Sequence, residues 1–343
     1  MTDIKDLLKE ELIKELGGLN IEKFRAEQVF NWIYKKFIYD FDKMSNLSAE
    51  ARSALKRRFY ISDLKSIKEL ISEDGTMKFL FGLQDGETIE SVFIPSKNTS
   101  TACVSSQVGC KFACGFCASG KNGFVRDLTP AEMVNQVLHI KRGQFSKREL
   151  SPNVVFMGMG EPFDNYDNVL KAVRILNAPY GLNIGQRKIT ISTCGIIAGI
   201  KKLAKEDLQV ELSVSLHAAN DETRSRLMGV NRRYPMKELM AACREYIKET
   251  NRQVTFEYVL IKGVNDSIKD AEALAKLLRG MIAKVNLIPF NPVVLNGDTS
   301  QWEVSPFRKG FKDILDKKGV MSIIRTTRGS DIAAACGQLR MRM

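Results

Sequence analysis

An α/β fold, built as an open (β/α)6 barrel beside a small N-terminal unit of helices and strands, is predicted for this chain by three observations. From residue 102 onward, short β-rich runs alternate with amphipathic helical stretches, an alternation that gives parallel strands joined by crossover helices. The strand–helix units, about six of them, are too few to close an eight-stranded barrel but enough for an open one. The first ninety residues follow a different pattern, helical at first and then antiparallel.

Taken in order, residues 4–16 and 21–37 carry apolar side chains at helical spacing, and Ser48 is placed to cap a helix over 49–58. Asp74-Gly75 marks a tight turn between strands at 66–71 and 77–81. Barrel strands are expected at 102–105, 153–157, 188–192, 211–216, 254–260, 284–289 and 320–325. Thr129-Pro130-Ala131-Glu132 is a capping box with proline at the first helical position, and Pro235 opens another helix. The chain thus divides into an accessory domain, residues 1–95, and a catalytic domain, 96–343, which ends in a tail at 326–343. Chemistry in such a barrel sits at the carboxyl ends of the strands. Cys110 to Cys117, Gly160, Glu161, Ser192, Ser215, Leu216, His217 and Asn291 fall there.

Charge is unevenly divided. Residues 1–90 hold 15 Lys and Arg against 17 Asp and Glu, whereas 91–343 hold 37 against 23. Lys141-Arg142, Lys147-Arg148, Arg224, Arg226, Arg232-Arg233, Arg340 and Arg342 are candidates to line a phosphate backbone, with a merely solvated face as the alternative. Asp3, Lys5 and Asp6 stand where a secretory leader needs an apolar run, and no apolar stretch is long enough to cross a bilayer. A cytoplasmic monomer without a membrane partner is expected. In a reducing compartment, the odd count of seven cysteines points to metal-binding and catalytic thiols rather than a disulfide framework.

Cys110, Cys114 and Cys117 lie within eight residues of one another. Thiolates hold iron–sulfur clusters and zinc, and closed sites of either kind usually take four donors. Three leave a metal position open to bind a substrate or cofactor directly. The rival is a zinc site completed from a distance, in a zinc-stabilised RNA-binding protein without catalysis; only His139 and His217 are available to it. In Gly158-Met159-Gly160-Glu161-Pro162 the glycines admit a ligand close to the backbone, and the carboxylate can accept from an α-amino group. Ser192, Ser215 and Asn291 either bind ribose or carboxylate or cap their strands, and His217 either joins the site or is a satisfied buried histidine. By pattern alone, Glu90 reads as an exposed hairpin carboxylate and Cys103 as a buried strand cysteine. Cys336, between Ala335 and Gly337 near the C-terminus, lies in a segment able to present one sulfur to successive partners.

The Cys-x3-Cys-x2-Cys run resembles the signature of the radical S-adenosylmethionine (SAM) superfamily. A more specific resemblance is carried by Cys103-Val104-Ser105-Ser106-Gln107-Val108-Gly109-Cys110, Phe156-Met157-Gly158-Met159-Gly160-Glu161-Pro162, Ile191-Ser192-Thr193-Cys194-Gly195 and Ser215-Leu216-His217. Gly263-Val264-Asn265-Asp266, Asn286-Leu287-Ile288-Pro289-Phe290-Asn291-Pro292 and the stretch from Arg328 to Leu339 extend it. Together these resemble the RlmN/Cfr family of RNA methyltransferases over nearly the whole chain. Phe290 and Cys194 depart from the Trp and Ser frequent in the family. Pro289 and Thr327-Arg328-Gly329 resemble the branch that methylates adenine C2, with the C8-methylating branch as the alternative.

The resemblance implies a partial (β/α)6 TIM-like radical SAM barrel with a [4Fe-4S] cluster on Cys110, Cys114 and Cys117. It implies two SAM molecules per turnover, with Gly160, Glu161, Ser192, Ser215, Leu216, His217 and Asn291 around the cofactor. Cys336 would take a methyl group from one SAM, and a 5′-deoxyadenosyl radical from the second would turn it into a methylene radical that adds to C2. Glu90 would then accept the C2 proton, and Cys103 would resolve the adduct, leaving a Cys103–Cys336 disulfide to be reduced. The implied partners are 23S rRNA at the peptidyl-transferase centre, tRNA at the adenosine 3′ of the anticodon, and an electron donor such as flavodoxin or ferredoxin. A pocket for an extruded adenine follows.

Overall fold

In the computed structural model, the described residues are 1–97, 99–121, 123–145, 152–295, 298–299 and 302–339. Ten strands form one sheet whose spatial order follows the chain. They are β1 (Lys65–Ile71), β2 (Met77–Gly82), β3 (Thr88–Ile94), β4 (Thr101–Cys103), β5 (Asn153–Phe156), β6 (Ile189–Thr193), β7 (Glu211–Ser215), β8 (Val254–Leu260), β9 (Ala283–Pro289) and β10 (Met321–Ile324). From β4 to β10 every pairing is parallel. From β1 to β4 every pairing is antiparallel. The two end strands, β1 and β10, are not neighbours, so the barrel is open, as expected.

Helices α1 (Lys9–Gly18), α2 (Arg25–Tyr34) and α3 (Ala49–Arg58) precede the sheet. The crossovers are α4 (Pro130–Ile140), α5 (Tyr166–Asn177), α6 (Ile197–Leu203), α7 (Asp221–Leu227) with α8 (Met236–Thr250), α9 (Ile268–Leu278) and α10 (Arg308–Lys317). A parallel strand covered on both faces is mostly apolar, and a polar residue in it needs a partner. Accordingly all seven residues of β8 are buried. The capping box forms as read: Thr129 Oγ1 accepts from Glu132 N at 3.3 Å and Glu132 Oε2 from Thr129 N at 2.9 Å. Ser48 Oγ accepts from Ala51 N at the start of α3.

The first two helices differ from the sequence reading, and the one expected over 21–37 spans only Arg25–Tyr34. The helix expected over 4–16 is split, because Asp3 caps a short 3-10 turn at Ile4–Asp6 and α1 starts only at Lys9. The division expected at residue 95 falls between β3 and β4, where Val92 pairs with Cys103 in the continuous sheet. The antiparallel hairpin therefore shares its backbone hydrogen bonding with the barrel.

The N-terminal turn is pinned to the barrel by Lys5, which is fully buried. Its ammonium donates to Ser62 O at 2.7 Å and to Asn135 Oδ1 of α4 at 2.6 Å, and lies 3.7 Å from the centre of the Tyr39 ring. Asp6 adds a bond from Ala131 N at the start of α4. A buried acceptor left without its donor costs more than the bond itself is worth. Replacing Lys5 with Met is expected to lower stability by about 2 kcal/mol through these orphaned acceptors, measured by chemical denaturation.

Candidate active site

The three-cysteine loop hangs between two short antiparallel strands, Gln107–Gly109 and Phe124–Asp127. Gly109 has φ +77°, and a Cβ there would lie 1.9 Å from Gly123 O, so only glycine closes the base of this loop. Cys110 N donates to Gly123 O, Cys117 N to Cys114 O, and Gly115 N reaches Leu227 O at the end of α7. All three thiols are half-buried. Burial first, and then the negative charge of neighbouring thiols, pushes Cys110 up to about 12 and Cys114 well above the ordinary thiol range. The bare loop thus disfavours thiolates, and a bound cationic cluster reverses that preference. Among the described residues no three His, Cys, Asp or Glu side chains are gathered to hold a metal ion; the fit to a cluster lies in the donor set, three soft sulfurs on one loop.

Beside this loop, Ser105 Oγ donates to Glu90 O at 2.6 Å and accepts from Met159 N at 2.9 Å, tying β3 to the glycine turn after β5. Gly160, with φ +98°, leaves no room for a Cβ, which would meet Gln107 Cβ at 2.5 Å. Buried Glu161 accepts from Phe163 N at 3.0 Å and Cys194 N at 2.7 Å. Burial raises its pKa, against the lowering effect of those amides. Cys194 is itself buried at the end of β6.

Ser192 and Ser215 are half-buried, the first within β6 and the second at the end of β7. Leu216 is buried, its N–H donating to Glu257 O and its carbonyl accepting from Arg224 Nε. His217 sits at φ +56°, a left-handed conformation unusual for a residue with a side chain. Its Nδ1 accepts from Val259 N at 3.0 Å, and its ring meets Phe116 of the three-cysteine loop edge-on, centroids 4.7 Å apart. Burial, then the Arg224 cation, lowers its pKa to about 3. The imidazole is therefore neutral, with its proton on Nε2.

Arg224, read from the sequence as a candidate for the phosphate surface, is fully buried. It donates to the carbonyls of Cys194 (2.7 Å), Ser215 (3.1 Å) and Leu216 (3.2 Å) and to Asn231 Oδ1 (2.8 Å). One guanidinium thereby fastens the ends of β6 and β7 beside the loop. Arg226, Arg232 and Arg233 are exposed on the same segment. Lys147, Arg148, Arg340 and Arg342 lie outside the described residues.

The C-terminal tail is docked over the site. Asn291 Nδ2 donates to Cys336 O at 3.2 Å, Gln338 Nε2 to Pro292 O at 2.9 Å, and Ser119 Oγ to Leu339 O at 2.7 Å. Ala118 N, next to Cys117, donates to Gly337 O at 2.7 Å. At the other end, Gly329 N reaches Asp74 Oδ2 and Ser72 Oγ reaches Asp331 Oδ1, both in the turn between β1 and β2. Cys336 is exposed in this frame. Ala334 and Leu339 pack on Val92 and Met159, with half-buried Cys103 against the same group. Burial, then the nearby Cys336 sulfur, pushes Cys103 up to about 12.

Glu90, which by pattern alone reads as an exposed hairpin carboxylate, is fully buried and pairs with buried Lys78, Nζ to Oε1 3.1 Å. Sequence reasoning passed over Lys78, as it did Glu257, a buried carboxylate bonded by Ser213 and Asn286 inside the barrel. Their signal was available: a lone charge in an otherwise apolar strand.

Two family models match the chain, the radical SAM superfamily over residues 104–278 and the ribosomal RNA large subunit methyltransferase N-terminal domain over residues 2–61. The chain belongs to the RlmN family of radical SAM RNA methyltransferases. A probable dual-specificity RNA methyltransferase RlmN from Caldanaerobacter subterraneus subsp. tengcongensis is 49% identical, with all of this chain and 98% of the relative aligned. The counterpart in Spiroplasma citri is 47% identical over the same shares. The crystal structure of a radical SAM methyltransferase from Sphaerobacter thermophilus superposes over the full length of both chains with a TM-score of 0.93 at 46% identity. RlmN enzymes work with a [4Fe-4S] cluster and SAM, and the three-sulfur loop beside a glycine-lined turn fits that pair.

The contrast between two arginines of α7 is testable. Arg224→Leu is expected to cost about 4 kcal/mol, because it strips a buried charge from four acceptors. Arg226→Leu is expected to stay within about 0.5 kcal/mol. Urea denaturation of both variants measures the difference.

Proposed function

We propose that this chain methylates C2 of an adenosine at the peptidyl-transferase centre of 23S rRNA, and of the adenosine 3′ of the anticodon in tRNA, with the new carbon carried on Cys336. The observation that carries this reading is the docked tail. It leaves Cys336 exposed, one residue from a hydrogen bond to the three-cysteine loop, while the tail packs on the sheet face that holds Cys103. The relatives are named dual-specificity RNA methyltransferases, which supports two RNA substrates. Exposed Arg226, Arg232 and Arg233 supply cations for phosphates beside the loop.

Adenine C2 is an electron-poor carbon bearing hydrogen, so it does not attack a sulfonium methyl directly. Cys110, Cys114 and Cys117 would hold the cluster, with Gly160, Glu161, Ser192, Ser215, Leu216, His217 and Asn291 lining the space for SAM. Bound there, the cluster and SAM supply one-electron chemistry that removes a hydrogen atom from an unactivated methyl group. Cys336 is the nucleophile that accepts the methyl group and later delivers the carbon to C2. Glu90 takes the C2 proton. Cys103 attacks the Cys336 sulfur, the sulfur–carbon bond breaks, the carbon takes up a proton to become methyl, and a disulfide forms that external thiols reduce. In the structure Cys103 and Cys336 are both free cysteines, so the expected disulfide between them is not formed there. The enzyme acts as a cytoplasmic monomer and draws electrons from a flavodoxin- or ferredoxin-type donor; no described helix is long and apolar enough to cross a membrane.

Cys336→Ala is expected to abolish methylation while reductive cleavage of SAM continues, followed as 5′-deoxyadenosine; full methylation by this variant would remove the residue from the mechanism. Cys103→Ala is expected to accumulate a covalent protein–RNA adduct, seen as a shifted band on a denaturing gel. Substituting Cys110, Cys114 or Cys117 is expected to remove the brown chromophore of anaerobically prepared protein and all activity. Mass spectrometry of RNA from cells with and without the protein is expected to show 2-methyladenosine; 8-methyladenosine in its place sinks the C2 reading.

A further inference from the structure

The geometry points to Lys78 as a positioning residue for the resolving half of the reaction, aiming Glu90 and linking that aim to the docked tail. This rests on the reading of Glu90 as proton acceptor and adds to it. Lys78 lies in β2 between Met77 and Phe79, in a strand whose first five residues are all buried. Glu90 lies in β3, flanked by Ile89 and Ser91, and is fully buried too. Two opposite charges in a dry sheet interior hold each other in place, and loss of either leaves the other uncompensated.

An ion pair that only supported the fold would need nothing more. Lys78 also donates to Ala333 O at 3.3 Å, three residues before Cys336. Ala333 has φ +50°, a strained conformation for a residue with a Cβ. The ammonium thus also meets the backbone of the tail, whose hold beside Cys336 is shared with Asn291, Gln338 and Ser119. Strand register places it usefully: Lys78 is opposite Val92, and Val92 is opposite Cys103. Opposite residues share a face, and Glu90 shares it as well, two residues from Val92. Adjacent strands are roughly 4.8 Å apart, so the row from Lys78 through Val92 to Cys103 spans about 10 Å, with Glu90 on the same face two residues along β3.

Without this neighbour the buried Glu90 side chain loses the contact that fixes its direction in the sheet. With the ammonium beside it, a carboxylate oxygen is held ready. The proton of C2 passes to that oxygen, the C–H electron pair restores the aromatic ring, and the unpaired electron of the adduct leaves to a one-electron acceptor of the same redox class as the partner that supplies the reductant. Methyl transfer to Cys336 asks nothing of Glu90, so Lys78 should separate the two halves of the cycle.

The experiment uses full-length protein with its reconstituted cluster, a 23S rRNA fragment, and the variants Lys78→Met, Lys78→Arg and Glu90→Gln. For Lys78→Met we expect methylation of Cys336, read by intact mass, and 5′-deoxyadenosine formation to stay within about threefold of the parent. Release of methylated RNA is expected to fall about 100-fold, the usual contribution of a placed base, with adduct accumulating. Lys78→Arg should restore at least a tenth of the parental rate of release. Release by Lys78→Met within about threefold of the parent overturns the inference, as does equal loss of Cys336 methylation and release in both Lys78 variants. Glu90→Gln separates the two readings. Normal release by that variant defeats the proton-acceptor reading itself, whereas blocked release there with normal release by Lys78→Met defeats only the role of Lys78.

Discussion

The hydrogen bond from Ala118 N to Gly337 O joins the three-cysteine loop to the C-terminal tail, and the rest of the site depends on that junction. The role proposed for Cys336 asks for a thiol that can move between partners and return to one place. Backbone-to-backbone bonding serves this purpose, since it fixes a path for the chain without fixing the side chain of Cys336. Asn291 and Gln338 add bonds on the barrel side, and the Asp74 turn adds them on the hairpin side. The tail therefore spans the sheet from its antiparallel end to its parallel end. That span explains why the hairpin strands belong to the barrel's own sheet: they carry Glu90 and the far anchor of the tail.

Buried charge organises the remainder. Arg224 gathers carbonyls from the ends of β6 and β7, Lys5 fastens the N-terminal turn to α4, and Lys78 with Glu90 sits under the tail. Each is an expensive choice in a low-dielectric interior unless its partners are in place. Each is also specific, since an apolar side chain would leave named acceptors unsatisfied. The neutral His217, held in a left-handed conformation against Phe116, belongs to the same framework: it connects the strand end of β7 to the loop between Cys114 and Cys117.

Much of the fold was legible because parallel strands covered on both faces leave long apolar runs. The run at 254–260 coincides with β8, and the others shift by only one or two residues at their ends. The capping box at Thr129 was legible for a local reason: side chain and amide lie three residues apart. Where tertiary contact competed with local preference, the reading failed. Asp3 caps a short 3-10 turn that breaks the first helix, and Lys5 in that turn is drawn into a buried contact with α4. Arg224 and Arg226 are the same residue type two positions apart, and only packing decides that one is core and the other surface.

The sequence by itself determined the donor set, the three-cysteine spacing, the glycine turn and the thiol near the C-terminus, because each is a property of neighbours along the chain. It determined family membership for the same reason. Tertiary structure alone decided that Glu90 is buried against Lys78, that Cys103 shares a packed group with the tail, and that Cys336 stands exposed beside the loop. Those are relations between residues far apart in the chain. Burial and charge pairing, which set their chemistry, exist only once the sheet has brought them onto one face.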